Sequence, residues 1–386
     1  MRILLLNDDL PSDTLGGSGR IVVETARELS KRGHDVTILT AANAPPGNQK
    51  LEGIHIRTIP KLPVRWAHYR SVFSRRRAQE VLQVIREVKP DVIHAHGIAW
   101  QIGYRWIKSV QGIPIFSTAH GMMIIAYGKV LGTERFPLYY DLKRARWTYN
   151  PFRNRLIKKY LSVARKILCV SDALRLYLQS RGLRNLSTLH NGIDSNFWKA
   201  NGTQEEARRK LGLPLQVPLF LIAGRLGYDK GVNLLLDIWP ALLGDPHLVL
   251  AGTVAGLPKI SEPVFSVFEN QTPEQMRTIY EAIDVNLVPS LCFDCFPTTS
   301  LEAMSCSRPV IVGDRGGGKE AVVEGKTGFV IHPWNINEVQ EKIQWCIDHR
   351  QDLSIMGLAA RAHIEAHFPL EKHVDALLRL YTAATP

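Results

Sequence analysis

Short apolar runs recur along the chain, each ending at glycine, proline or an acid, with stretches between them whose apolar positions lie three and four apart. That alternation predicts buried parallel strands joined by amphipathic helices. The opening run Arg2–Leu6 leads through a Gly-containing loop into a helical pattern. There Ile21, Thr25 and Leu29, with Val22 and Ala26, share one face, and Gly33 is a natural stop. "DVTIL" follows as the next strand, and 91–96, 114–120 and 166–171 continue the series. The plan then repeats: 219–225, 247–252, 284–290, 309–314 and 327–331 read as strands, with helical stretches between them. The turn-rich passage 187–197 separates the two series, which predicts domains over 1–188 and 189–370. A final amphipathic helix, 371–383, is expected to pack back on the first domain with the rest of the tail to 386. Two open parallel sheets bind ligands at the carboxyl ends of their strands, so a cleft between two facing domains is where chemistry is expected.

Length agrees with two domains, since 386 residues exceed what one compact core organises. No apolar run approaches the roughly 18–20 residues of a membrane-spanning helix. The start lacks the long apolar stretch and small-residue cleavage site of a secretory signal, which predicts a cytoplasmic protein. Charge is uneven: residues 1–190 carry 31 Lys+Arg against 13 Asp+Glu, and the rest 17 against 23. Only the first half is therefore suited to an anionic surface. Its cations mix with aromatics in 64–77 and 141–160, a pattern that fits a membrane face or a polyprenyl-diphosphate-linked sugar, or else a solvated basic face. No recognised nucleic-acid module accompanies the charge, so no nucleic-acid partner is expected.

Several motifs fall at strand ends. "GGSGR" (16–20) joins a strand to a helix, either as a ligand loop or as a plain turn; the third glycine of a dinucleotide fingerprint is replaced by Val22. "GDRGGGKE" (313–320) has the glycine and lysine offsets of a phosphate loop, but Glu320 stands where a magnesium-binding hydroxyl is needed, so that reading fails. Arg225 and Lys230, five apart after a strand, suit a diphosphate approached from two sides, or form an ordinary solvated pair. Of five cysteines, Cys292 and Cys295 are spaced C-x-x-C without a second ligand couplet, which predicts ordinary thiols and no metal. There is no Asp-x-Asp. His94, His96 and His120 lie at strand ends, His120 best placed for the cleft.

In "FDCFPTTSLEAMS" (293–305), Pro297 suits the first helical position, so Glu302 lies on a helix and Asp294 in the loop before it. The amides of Thr298 and Thr299 would then face an anion.

In order and spacing, "GGSGR", "PDVIHAHG", "TAHG", "CVSDALRLYL", "LHNGID", "AGRLGYDKG", "FDCFPTTSLEAMS", "RPVIVGDRGG" and "EAVVEGKTGF" make the chain resemble glycosyltransferase family 4, over nearly its whole length. The resemblance implies an α/β GT-B fold of two Rossmann-like, doubly wound domains facing an interdomain cleft. It also implies a retaining transferase that takes a sugar nucleotide and needs no cofactor or metal. Glu302 would bind the ribose hydroxyls and Asp294 face the transferred sugar. Arg225 and Lys230 would neutralise the diphosphate, and His120 would lie beside the donor sugar. Gly16 and Gly17 would close on the phosphates, with Cys295, Phe296, Thr298 and Thr299 completing the donor site. The acceptor is expected to be a glycan or a lipid-linked glycan, in polysaccharide or glycolipid synthesis, at the inner face of the membrane. Two residues depart from the family pattern: Asp294 replaces Glu, and Ser307 replaces Gly. A non-catalytic sugar-nucleotide binder or scaffold, or a GT-B epimerase, are the alternative readings.

Overall fold

A computed structural model describes residues 1–10, 17–43, 47–63, 67–126, 151–254 and 265–385. The chain divides into two compact units, 1–192 with 370–386, and 193–369. Among the described residues no helix is long and apolar enough to cross a membrane.

The first unit is built on eight strands: β1 (Arg2–Asn7), β2 (Asp35–Ala42), β3 (Asn48–Leu51), β4 (Ile54–Pro60), β5 (Val92–His96), β6 (Ile115–Ala119), β7 (Lys166–Cys169) and β8 (Leu186–Thr188). Their order is β3-β4-β2-β1-β5-β6-β7-β8, parallel except where β3 folds back on β4. Ile3 pairs with Val36 on one side and Val92 on the other, so the fully apolar face-to-face runs sit at the sheet centre, where both faces are covered. The helix Gly17–Lys31 lays Ile21, Val22, Ala26 and Leu29 on this sheet. It begins at Gly17, inside the Gly-containing motif. The C-terminal helix Leu370–Ala384 joins the same core through Leu370, Val374, Leu377 and Tyr381. Burying each aliphatic side chain contributes about 1.5–3 kcal/mol, which makes this helix part of the unit's core and not a loose tail.

The second unit carries six parallel strands: β9 (Leu219–Leu226), β10 (His247–Val254), β11 (Phe265–Glu269), β12 (Val285–Val288), β13 (Val310–Gly313) and β14 (Gly328–Ile331), ordered β11-β10-β9-β12-β13-β14. The chain winds outward from β9 one way and from β12 the other. In the first unit the equivalent reversal lies between β1 and β5. Each is a switch point, where the connections part and leave a crevice at the carboxyl edge. Strands β3, β4, β8 and β11 escaped the hydrophobic pattern because they are short or half-exposed, and Asn48–Leu51 is exposed throughout.

Four histidines interlock beneath the first unit's carboxyl edge. His94 bonds Thr118 Oγ1 (2.8 Å) and the Tyr381 hydroxyl, and His96 Nδ1 bonds His120 Nε2 (3.1 Å). His373 donates from Nδ1 to the His190 carbonyl (2.8 Å). Burial, reinforced by neighbouring histidines, holds His94 and His96 well below their ordinary range. Burial takes His373 down to about 4, even though its bond to the His190 carbonyl pulls the other way. A group depressed in the folded state binds its proton more readily once unfolded. His373 therefore stabilises fully above about pH 6.5, and that stability is lost as pH falls toward 4. Asp8, pushed up to about 7 mainly by burial, runs in the opposite direction, so the test is a difference. His373→Gln keeps an N–H for the carbonyl but gains no proton. In urea unfolding from pH 7 to pH 4, wild type should lose about 3 kcal/mol relative to this variant. Parallel curves would contradict it.

Candidate active site

Loops leaving β9, β12 and β13 bring the charged residues of the second unit together. After β9, the turn 227–231 packs on the stretch after β12: Leu291 N and Cys292 N both donate to the Asp229 carbonyl (3.0 and 3.2 Å). Gly231 is required there, because its φ is +80° and a Cβ would lie 2.3 Å from the Pro289 carbonyl oxygen. That docking carries Lys230 to Asp294, and their side chains form an ion pair. Ser290 Oγ donates to the same Asp294 oxygen at 2.9 Å. Burial works against the Lys230 ammonium, but the charge of Asp294, with Cys292 and Asp229 behind it, outweighs it and raises the pKa. Lys230 is a fixed cation.

Asp294 is equally constrained along its backbone. Its N–H donates to the Arg315 carbonyl (3.0 Å) and its carbonyl accepts from Gly317 N (2.8 Å), a one-residue parallel bridge to the loop after β13. Gly316, at φ +101°, would place a Cβ 2.1 Å from the Asp294 carbonyl oxygen. The glycines of "GDRGGGKE" thus serve close packing against the Asp294 loop.

Helix Thr298–Ser305 starts one residue later than its sequence suggests. Pro297 is the N-cap at φ −68°, ψ 118°; its ring allows this extended ψ as readily as a helical one, and Thr298 is the first helical residue. The first helical amides have no intrahelical acceptor, so Thr298 and Thr299 sit where a helix favours an anion. Glu302 is not a solvated helix acid: it is 3% exposed and accepts a hydrogen bond from the Tyr280 hydroxyl at 2.9 Å. Phe296 is buried against Phe368, with ring centroids 5.7 Å apart. Cys295 is half-buried, and among the described residues none of the five cysteines forms a disulfide; burial pushes Cys169 and Cys346 up to about 12. Among the described residues, no group of three metal-ligating side chains converges. Arg225, near the end of β9, is exposed and makes no ion pair among the described residues.

Past the helix, Ser307 takes φ +57°. A left-handed residue at this position is normally glycine, which has no Cβ to clash, so this departure carries a conformational cost of about 1 kcal/mol.

The structure therefore gathers Arg225, Lys230, Asp294, Cys295, Phe296, Thr298, Thr299 and Glu302 into one unit, along the carboxyl edge beside its switch point. His120 belongs to the first unit, just after β6; burial and then the charge of His373 hold it down to about 4, so its imidazole is neutral. Gly17 is the first residue of a helix, and Gly16 lies outside the described residues. Among the buried acids that escaped the sequence reading, one holds a loop at the first unit's carboxyl edge. Asp8, just after β1, accepts from Trp100 N (2.6 Å) and Ile102 N (2.8 Å) and holds the loop after β5. An acidic pair one residue past an apolar run, Asp8–Asp9, was the available signal.

Two Rossmann-like units, each wound outward from a switch point, make up the GT-B fold. Residues 15–197 match Glycosyltransferase Family 4 and residues 203–363 match Glycosyl transferases group 1. The chain belongs to glycosyltransferase family 4. It is 25% identical over 402 residues to a D-inositol 3-phosphate glycosyltransferase of Nocardiopsis dassonvillei, covering 96% of this chain and 90% of that one. In fold it is similar to sucrose-phosphate synthase from Thermosynechococcus elongatus, with TM-score 0.81 and 18% identity over 99% of this chain and 98% of that one. It is also similar to Anabaena HepE, solved in complex with UDP-glucose, with TM-score 0.75 and 17% identity over 99% of this chain and all (100%) of that one.

Proposed function

We propose that this transferase moves a hexose from a nucleoside diphosphate to a glycan or lipid-linked acceptor, with retention of anomeric configuration and without a metal ion. The observation that carries the reading is that Lys230 is held on Asp294, in the loop just before the helix start at Thr298 and Thr299, while Arg225 lies near the carboxyl end of the neighbouring strand β9. As the bond to the anomeric carbon breaks, negative charge grows on the departing diphosphate. Pre-placed cations and helix-end amides stabilise that charge with no reorganisation. Asp294, held by Lys230 and Ser290, is a carboxylate that can face the sugar while positive charge grows at its anomeric carbon. Glu302, fixed by Tyr280, is the acceptor for ribose hydroxyls. Neutral His120 would serve the donor sugar as a hydrogen-bond partner and not as a cation. UDP is the first donor to test, since HepE is solved with UDP-glucose. The name of the Nocardiopsis relative adds inositol phosphate to the acceptors worth offering.

The test is transfer from labelled UDP-, GDP- and ADP-sugars to an acceptor panel, with and without EDTA. Product of unchanged anomeric configuration, formed equally in both, is expected. Loss of activity in EDTA with recovery on Mg would overturn metal independence. Binding without turnover would make the protein a sugar-nucleotide binder, and an isomerised donor would make it an epimerase.

A further inference from the structure

A cavity of about 520 Å³ lies in the first unit, among the helix Arg75–Val88, the turn Arg105–Ser109 and the helix Pro151–Leu161. Four cations line it, Arg75, Arg105, Lys108 and Lys159, and among the described residues no carboxylate does. Arg105 donates one N–H to the Phe73 carbonyl at 3.3 Å. The side chains of Arg75, Lys108 and Lys159 have no partner among the described residues. Their neighbours differ: Arg76 and Arg77, on the same helix, both reach Glu80, at 3.2 and 2.9 Å. Neutralised cations thus stand beside the cavity, and unneutralised ones converge on it from three separate segments. Like charges so gathered repel, and an anion with several acceptor oxygens relieves them all at once.

The remaining wall is mixed, with Gln79 and Ser109 polar and an apolar side beside them. Leu82 and Leu156 face the cavity with Tyr160, which is almost fully buried. The volume falls in the range of small-ligand pockets, which exceeds a bare phosphate. Arginine forks match phosphate oxygens two at a time, and lysines add point charge.

We propose that this cavity is a second anion site, distinct from the carboxyl-edge site, that holds the phosphate of an ester and rests its organic part on Leu82, Leu156 and Tyr160. The phosphate comes either from a phospholipid headgroup or from a soluble phosphate ester. The site shares no residue with Arg225 or Lys230, so it stands or falls independently of the donor reading.

Glycerol phosphate tests the soluble source, by hydrogen exchange at constant ionic strength. Protection of peptides spanning 75–82, 105–109 and 156–160 is expected. Vesicles of phosphatidylglycerol, against phosphatidylcholine, test the lipid source by flotation. Whichever probe binds, Arg75→Gln/Lys108→Gln should weaken it about tenfold or more. Lys50→Gln/Arg184→Gln, an equal loss of charge at exposed positions that do not line the cavity, should leave binding within twofold. Circular dichroism melts confirm that both variants fold. Equal weakening by the two variants would mean that net charge alone attracts the anion, and would overturn the site. So would the absence of binding to both probes.

Discussion

Arg225→Ala should lower kcat for sugar transfer by about two to three orders of magnitude, and Lys230→Ala by at least as much. The two cations are presented differently, which separates their effects. Arg225 is exposed near the end of β9 with no ion pair among the described residues, so its removal deletes a charge and leaves nothing stranded. Lys230 is ion-paired with Asp294 in a partly buried setting. Removing it takes away a cation and also leaves a carboxylate close to where the diphosphate must lie. Lys230→Ala should therefore raise KM as well as lower kcat. The double variant Lys230→Ala/Asp294→Ala should regain part of the lost donor affinity, a non-additivity expected of residues that share one contact. Initial rates of nucleoside diphosphate release, with donor titrated in each variant, measure both effects. Turnover within threefold of wild type for either single variant would end the assignment of these residues to the leaving group.

Asp284→Ala should destabilise the second unit by about 3–5 kcal/mol, seen as a lower urea midpoint. Asp284 is 7% exposed and meets the buried Arg208 at 2.7 Å. It also accepts from Leu219 N (2.7 Å) and Gln204 Nε2 (3.0 Å). Arg208 is satisfied in turn by the carbonyls of Ala282, Leu215 and Val217. Burial lowers the Arg208 pKa, against the pull of Asp284, so the pair holds together only because both partners are present. Truncating the acid leaves a guanidinium buried beside carbonyls without a counter-charge, and that desolvation is what the variant reports. The pair also fastens the entry to β12 against the start of β9, since Asp284 N donates to the Leu219 carbonyl (2.8 Å). These two strands carry Arg225 and the Asp294 loop at their other ends. A midpoint unchanged from wild type would show that the pair contributes nothing.

Much of this protein was readable from residue order. Apolar runs too short for a membrane and too continuous for a half-exposed sheet specify buried parallel strands, and the recurrence of the pattern specifies two of them. The helix carrying Glu302 was legible because "TTSLEAMS" follows a proline. Motif order placed the chain in its family. What escaped depends on contacts between residues far apart in the chain. Glycine in "GDRGGGKE" looks like a broken phosphate loop until Gly316 is seen against the Asp294 carbonyl. His96 and His120 are 24 positions apart and meet only because β5 and β6 are neighbours.

Local periodicity and turn chemistry were enough to set strand and helix type, the count of sheets and the family, since these follow from which side of each element must leave water. Side-chain partners were beyond it. The Lys230–Asp294 ion pair, the burial of Glu302 under Tyr280 and the left-handed strain at Ser307 exist because packing forces particular loops within a few ångströms of one another. Charge and geometry at those distances depend on three-dimensional neighbours, which composition and spacing do not encode.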